Sequence, residues 1–444
     1  MRNRSALLFC LLTAMGCDST SASEPTTTLG DTVGVNTHYG ARGPVDEQAL
    51  TKLADAGVRF IRNDLDWAEI EKEPGVYDFA GTGFDDLVET AEDLGLRILF
   101  ILDYGNPLYG EIGAVVDDDG RQAFAAFAAA AARRYGGRGH SWEIWNEPNL
   151  EQFWSSSEGG PDPDLYAELV RSTAPALRAE DPDGDIVVGA LYYGFPELIE
   201  ATELGIGGPR FLQAVAATGA LALADEVTLH LYRPANPEDV ISDVEGARAL
   251  LKSAGYPLPI SSGEWGYSTY DPNAPSDGFN FLPAVTLSRQ ASYLARMLLY
   301  NYSLGLRRSV IFKDRDEDNP SPGNIEHHWG LMTGDLVPKP SLVAISTLSE
   351  LVGNASLVET LVLGSGEHGL RFERDDGSEV IALWSEQQAT WAIRSESQDA
   401  QVLGRDGSDL TPATLPDGAE LTVESDDGPI YLIGSVTVSS GRSP

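Results

Sequence analysis

Eight short apolar runs, each rich in β-branched residues, recur between residues 32 and 314 and restrict the fold of this chain more than any other feature. They read TVGVNTHY (32–39), VRFIRNDL (58–65), RILFILDY (97–104), SWEIWNE (141–147), DIVVGALY (185–192), EVTLHLY (226–232), LPISSGEW (258–265) and SVIFKD (309–314). Such runs suit strands that are covered on both faces. Helical patterns lie between them, among them EQALTKLADAG (47–57), FDDLVETAEDLG (84–95), RQAFAAFAAAAARRYG (121–136) and LSRQASYLARMLLYNYSLG (287–305). Each of these ends in glycine, the usual residue just past a helix. Eight strand–helix units predict an α/β fold, a (β/α)8 TIM barrel over residues 31–354. An open doubly wound sheet is the other arrangement, but no GxGxxG turn follows the first strand.

After the last helical pattern, PKPSLVAISTLSELVG (338–353), the character changes. Runs such as HGLRFERD, SEVIALWS, TWAIRS and PIYLIGSVTV alternate with Asp-Gly and Gly turns, which predicts a small β-sandwich over residues 355–444. It carries no charged cluster suggestive of chemistry.

The N-terminus, MRNRSALLFCLLTAMGC, has Arg2 and Arg4, an apolar run from Ala6 to Leu12 and small residues before Cys17. Residues 1–16 read as a secretory signal, too short to span a bilayer. TAMGC also resembles a bacterial lipoprotein cleavage box, with Ala14 where Leu is usual. Residues 17–30 then form a Ser/Thr-rich tether. Two outcomes stay open: a lipoprotein acylated at Cys17 and anchored in the cell envelope, or ordinary cleavage and secretion. Both cysteines, Cys10 and Cys17, lie in this leader, so the exported domain has no disulfide. With 68 acidic against 30 basic residues the net charge is −38. That excludes nucleic acid and anionic membrane surfaces as partners, since both need a basic footprint. A membrane enters only through the lipid anchor.

In a barrel, reactive groups sit where strands end and loops begin. The second run ends in Arg62, Asp64 and Trp67, the third in Asp103, Tyr104 and Asn106, and the fourth in Asn146 and Glu147. The sixth supplies His230 and Tyr232, the seventh Glu264, Trp265 and Tyr267, and the eighth Lys313, Asp314 and Asp316. Trp154 and IEHHWG (325–330), which contains Trp329, fall in loops on the same rim. Two glutamates ringed by aromatic and hydroxyl-binding residues suit glycoside hydrolysis, which needs one protonated and one ionised carboxyl. Tryptophan faces suit the C–H face of a sugar, and Asn, His and Tyr suit its hydroxyls. Trp67, Trp154, Trp265 and Trp329 are the expected sugar platforms, while Trp142, Trp384 and Trp391 read as core.

WNEP (145–148) and GEWGYS (263–268) resemble the acid/base and nucleophile signatures of the large glycosidase clan built on (β/α)8 barrels. More narrowly, GVNTHY (34–39), LDYGNPLY (102–109), WEIWNEPNLEQFW (142–154) and SSGEWGYS (261–268) resemble family 39 of the glycoside hydrolases. Within it the likeness is to bacterial exopolysaccharide-processing endoglycosidases rather than to β-xylosidases, and it covers about residues 31 to 440. One departure is FKDRDEDN (312–319), where related enzymes more often carry an aromatic residue in the Lys313 region.

The resemblance implies Glu147 as general acid/base, Glu264 as nucleophile, and retention through a covalent glycosyl-enzyme. It also implies that Asn146 holds the sugar 2-hydroxyl, that Tyr232 or His230 orients Glu264, and that Arg62 keeps Glu264 ionised. The expected substrate is a β-linked polysaccharide cut within the chain by a monomer without cofactor or metal. An exo-acting β-xylosidase-like enzyme and a non-catalytic polysaccharide-binding lipoprotein are the alternatives. Glu143 shares a strand face with Glu147 and, at about 3.3 Å per residue, is expected about 13 Å deeper as a structural carboxylate.

Overall fold

Each apolar run forms one strand: β1 (Val33–Thr37), β2 (Phe60–Asp66), β3 (Arg97–Asp103), β4 (Ser141–Ile144), β5 (Asp185–Tyr192), β6 (Glu226–His230), β7 (Ile260–Trp265) and β8 (Ser309–Ile311). All pair in parallel in chain order. The barrel closes where β8 meets β1, with Val33 opposite Ser309 and Val35 opposite Ile311. The structure, a computed structural model, describes residues 27–440 apart from 158, 279, 396, 398, 416, 417 and 425–427. The segment expected to be a signal, residues 1–16, and Cys17 lie outside the described residues. Leu29 is already buried, and Gly30 donates its N–H to Gly353 O at 2.7 Å, so packing begins inside the stretch expected to be tether.

Helices wrap the barrel in the predicted alternation: α1 (Glu47–Asp55), α2 (Phe84–Asp93), α3 (Asp118–Tyr135), α4 (Pro163–Glu180), α5 (Pro196–Ala201), α6 (Gly208–Thr218), α7 (Ile241–Ser253), α8 (Leu287–Ser303) and α9 (Pro340–Val352). Asp46, Asp117, Asp162 and Thr286 cap α1, α3, α4 and α8 by accepting first-turn amide protons. Each such cap contributes about 1 kcal/mol. Gly57 turns the chain from α1 towards β2 at φ 92°, where a side chain would meet both strain and Ser349. Trp142 on β4 packs flat between Phe100 and Asp181, its ring 5.3 Å from Phe100 and its Nε1–H donated to Asp181. It is core, as its pattern predicts.

The barrel interior is sealed at the N-terminal end. Phe60, Leu99, Val187 and Val310 fill it, and beneath them Arg308 pairs with Glu226 and Asp185. A solute therefore reaches the interior only from the C-terminal rim, where the strand ends gather.

Residues 356–440 form the two antiparallel sheets of a sandwich. One has the order β9 (Ser356–Thr360), β10 (Glu367–Glu373), β11 (Glu379–Ser385), β15 (Ile430–Ile433), β13 (Gln401–Leu403). The other has β14 (Ala419–Val423), β12 (Ala389–Ser395), β16 (Val436–Ser440). Trp391 lies in the core between them. Trp384 faces the barrel instead, giving its Nε1–H to Glu238 at 2.7 Å, and Arg296 of α8 grips the same carboxylate through Nε and Nη2. Among the described residues no helix is long and apolar enough to cross a membrane.

Candidate active site

The strand ends surround a cavity of about 760 Å³. Its floor is organised by Arg62, which β2 directs into the barrel and which is wholly buried. One guanidinium serves four partners: Nε to Glu143 Oε2 at 2.6 Å, Nη1 to Glu264 Oε1 at 2.7 Å and Asn36 Oδ1 at 3.1 Å, and Nη2 to Asn146 Oδ1 at 2.8 Å. The rigid donor fork of arginine suits this task better than a lysine could.

Glu143 is therefore not remote from the cavity floor. β4 stops at Ile144, and Trp145 (φ 70°) and Glu147 (φ 44°) turn through left-handed backbone, so the strand rise that predicted the separation does not continue. The Glu143 carboxylate also accepts from Thr228 Oγ1 at 2.5 Å. It is buried and fully partnered, as expected, but a single guanidinium separates it from Glu264.

Glu147 projects from the turn after β4, its amide held by Ala190 O at 3.0 Å. Its Oε1 lies 2.6 Å from Nδ1 of His230. Burial, then the charge of Glu264, raises its pKa well above the usual glutamate range. His230 is pushed well below the usual histidine value by burial and then by Arg62, so it is neutral. In the tautomer with Nδ1 protonated it donates to the carbonyl oxygen of Glu147, leaving the other oxygen to present a proton to the cavity.

Glu264 ends β7, with His230 its register partner on β6. Burial raises its pKa, while the Arg62 guanidinium and a hydrogen bond from Tyr232 Oη at 3.0 Å pull it back. On balance both pKa values are raised, Glu147 further than Glu264, so Glu147 is the one that holds its proton longer. Tyr232 is the residue bonded to Glu264; His230 stands 3.5 Å from it and closer to Glu147. Oxygens of the two glutamates and a ring nitrogen of His230 all lie within 4.8 Å of one another. That trio is the grouping among the described residues with metal-ligand geometry, which sequence spacing did not reveal. Its donors are taken by one another, by Tyr232 and by Arg62, whose positive charge 2.7 Å from Glu264 opposes a cation there.

Beside this pair, His38 Nδ1 and Arg42 Nη1 hold Asp64 Oδ2 at 2.8 and 3.1 Å. Burial alone would raise the pKa of Asp64, yet His38 and Arg42 keep it below the ordinary aspartate range. Asp103 behind it is raised well above that range by burial and by Asp64. Among the described residues no hydrogen bond to either Asp103 oxygen is formed, which accords with a carboxyl that burial beside Asp64 holds protonated.

Of the sequence-predicted site residues, Arg62, Asp64, Tyr104, Asn146, Glu147, Tyr232, Glu264 and Trp329 line the cavity. His230 stands behind Glu147, outside the lining. Four expectations are corrected. Trp67 is buried in the helix layer, stacked on Tyr109 with its Nε1–H on Glu71, and Asn106 donates to the backbone of Trp67 and Glu71. Trp154 is wholly buried between Trp145 and Tyr166. Trp265 alternates outwards from Glu264 and bonds Ser309 Oγ at 3.0 Å. Aromatic composition near a strand end does not separate a ring facing the cavity from one filling the barrel–helix interface.

Sequence reasoning missed Arg42, Tyr192, Phe281, Phe312 and Glu326, which line the cavity together with His38. Phe312 supplies the aromatic surface expected near Lys313, one residue earlier; Lys313 itself pairs with Glu317 at 2.5 Å. His38 was visible at the end of the first apolar run, where a core role was equally open.

No family model matches the chain. A β-xylosidase of Geobacillus stearothermophilus is 26% identical over 264 residues, covering 55% of this chain and 46% of its own length. The chain spans about half the length of the curated relatives it matches. Among solved structures, a family 39 glycoside hydrolase from the gut symbiont Bacteroides cellulosilyticus WH2 aligns with TM-score 0.72 and 22% identity, over 92% of this chain and 82% of that one. A GH39 enzyme from Xanthomonas axonopodis pv. citri aligns with TM-score 0.58 and 17% identity over 90% and 93%. The fold is thus that of (β/α)8 barrels carrying a C-terminal β-sandwich. The likeness to family 39 seen in the motifs extends to the whole architecture.

Proposed function

We propose that the chain is a retaining glycosidase that hydrolyses β-glycosidic bonds, with Glu147 as general acid and base and Glu264 as nucleophile. The observation that carries this reading is the approach of the two carboxylates, whose oxygens come within 4.8 Å. These are the nearest oxygens, and so close an approach, with one His230 nitrogen beside both, accords with retaining enzymes, whose carboxyl groups stand about 5–5.5 Å apart, better than with inverting ones at about 6.5–9.5 Å. In the first step Glu147 gives its proton to the glycosidic oxygen as the C1–O bond breaks. Glu264 forms an ester to C1, and the leaving group departs as a neutral alcohol. With Glu264 esterified its negative charge is gone, and Glu147, now ionised, takes a proton from water as that water attacks C1. Free Glu264 and a sugar of unchanged configuration result. Arg62 and Tyr232 hold Glu264 in line throughout, and Asn146 Nδ2, which donates one proton to Tyr104 Oη at 3.3 Å, has its second for a sugar 2-hydroxyl.

Cutting a polysaccharide from within requires sugar-binding groups on both sides of the scissile bond. Here the hydroxyl-binding side chains gather around His38, Asp64, Asn146 and Glu264, while the wall beyond Glu147 is largely aliphatic and aromatic. We therefore favour removal of a terminal sugar, in line with the β-xylosidase names of the curated relatives. The test is a panel of aryl β-glycosides beginning with the β-xyloside, with the first-formed anomer read by proton NMR. The β-anomer is expected first, and Glu264→Ala is expected to abolish turnover. An α-anomer first, or turnover surviving in Glu264→Ala, overturns the assignment. We read Cys17 as an acylated anchor for this enzyme; a mature N-terminus lacking lipid, or lying beyond residue 17, rejects that.

A further inference from the structure

The cavity is two-faced. On the side of β1 and β2 its wall carries His38, Arg42 and Asp64. On the opposite side, after β4 and β5, it carries Leu150, Phe153, Phe195, Leu198, Ile199 and Leu204. The polar side chains lining that second region are Gln152, Thr202 and, at its inner edge towards Glu147, Tyr192. Leu198 and Leu204 are 56% and 46% exposed, so apolar surface is left open to solvent at the cavity itself. Isolated exposed leucines are ordinary, but two beside a functional cavity and continuous with buried aromatics form a patch that a ligand can cover.

This wall is anchored. Ile206 N donates to Asn149 O at 2.8 Å and Glu151 N to Leu204 O at 2.9 Å, which ties the α5 segment to the turn that carries Glu147. Phe153 stacks on Tyr104 at 6.1 Å. The apolar face therefore has a fixed position relative to the acid.

We propose that this wall is the leaving-group site, and that the enzyme prefers β-glycosides whose leaving group is an apolar aryl or alkyl alcohol rather than another sugar. The inference rests on the retaining mechanism above. Glu147 delivers its proton to the oxygen that joins the two halves of the substrate, so the leaving group lies on the Glu147 side and the hydroxyl-rich glycone on the side of Asp64 and Glu264. A sugar leaving group would bury hydroxyls against Leu and Phe with few partners, losing hydrogen bonds to water without replacement. A hydrocarbon chain or aryl ring loses nothing there and removes the exposed leucine surface from water.

The test uses methyl and hexyl β-glycosides of the sugar that the aryl panel identifies, or of xylose if none is cleaved. These alcohols have nearly equal acidity, so the ratio of kcat/KM reads the wall rather than the chemistry. In the wild type, hexyl should exceed methyl by at least tenfold. In the Leu198→Gln/Leu204→Gln variant the ratio should fall towards one. Both positions are open to solvent, so the variant should fold; if its melting curve shows otherwise, the single change Leu204→Gln replaces it. A wild-type ratio near one, a ratio unchanged in the variant, or faster cleavage of the matching disaccharide than of the hexyl glycoside overturns the proposal. If no glycoside is cleaved, the glycosidase reading fails on its own, and calorimetric binding still decides the wall. Tighter binding of the hexyl than the methyl glycoside, lost in the variant, supports it; equal binding overturns it.

Discussion

Arg62 donates its Nε–H to Oε2 of Glu143 across 2.6 Å, with both side chains sealed from solvent. The same guanidinium steadies Glu264, so the charge that Arg62 offers to Glu264 is already partly balanced by Glu143. Removing one partner of a buried pair costs about 3–5 kcal/mol. Glu143→Gln keeps the shape and removes the charge, so the melting temperature should drop. In addition, Arg62 would act on Glu264 with less compensation, lowering the pKa of Glu264. The acid limb of kcat/KM should then move to lower pH. A lower melting temperature with an unmoved acid limb would leave Glu143 a purely structural role.

Glu147 must carry a proton to act as acid, and its raised pKa places the loss of that proton on the alkaline side of the profile. Glu147→Gln should abolish the alkaline limb. It should also lower kcat/KM for alkyl glycosides by about 10²–10⁴-fold while sparing kcat/KM for dinitrophenyl glycosides, whose leaving group needs no proton, although hydrolysis of the glycosyl-enzyme slows for both. Equal losses on both substrates would remove Glu147 from the acid role.

Asp103 is buried beside Asp64 and held protonated in the folded chain. In the unfolded chain it ionises near pH 4. Between that pH and its raised folded value the unfolded state binds fewer protons, so stability falls by up to about 1.4 kcal/mol per pH unit. Asp103→Asn keeps a donor towards Asp64 and abolishes this titration. The decrease in melting temperature from pH 5 to pH 8 should be smaller in the variant than in the wild type. An identical decrease would show that Asp103 does not titrate in this range.

Two tryptophans that look alike in the sequence should behave oppositely. Trp154→Ala empties a buried site and should cost about 3–5 kcal/mol with KM unchanged. Trp329→Ala removes a cavity wall and should raise KM about tenfold. A KM effect from Trp154 larger than that from Trp329 would reverse the assignment.

The eight strands were legible because burial on both faces leaves continuous apolar runs, and the proposed catalytic pair because WNEP and GEW end two of those runs. Other features depended on backbone direction, which residue pattern does not encode. The left-handed turns at Trp145 and Glu147 shortened β4 and brought Glu143 within one guanidinium of Glu264. The outward alternation of Trp265 sent a predicted platform into the wall behind β7. The apolar wall escaped notice because α5 is a single turn and a half whose leucines resemble those of any surface helix.

Glu238 sits in the 3-10 turn Pro237–Val240 that leads into α7, yet answers to Arg296 of α8 and to Trp384 of β11, and all three side chains are buried. The change of architecture near residue 355 is therefore not a line of weakness. A chain severed there would keep its covalent order but lose the indole that closes this charge pair and expose the apolar face around it to water. The sandwich is better regarded as a ninth wall of the barrel than as a passenger, and the two should melt in one cooperative transition.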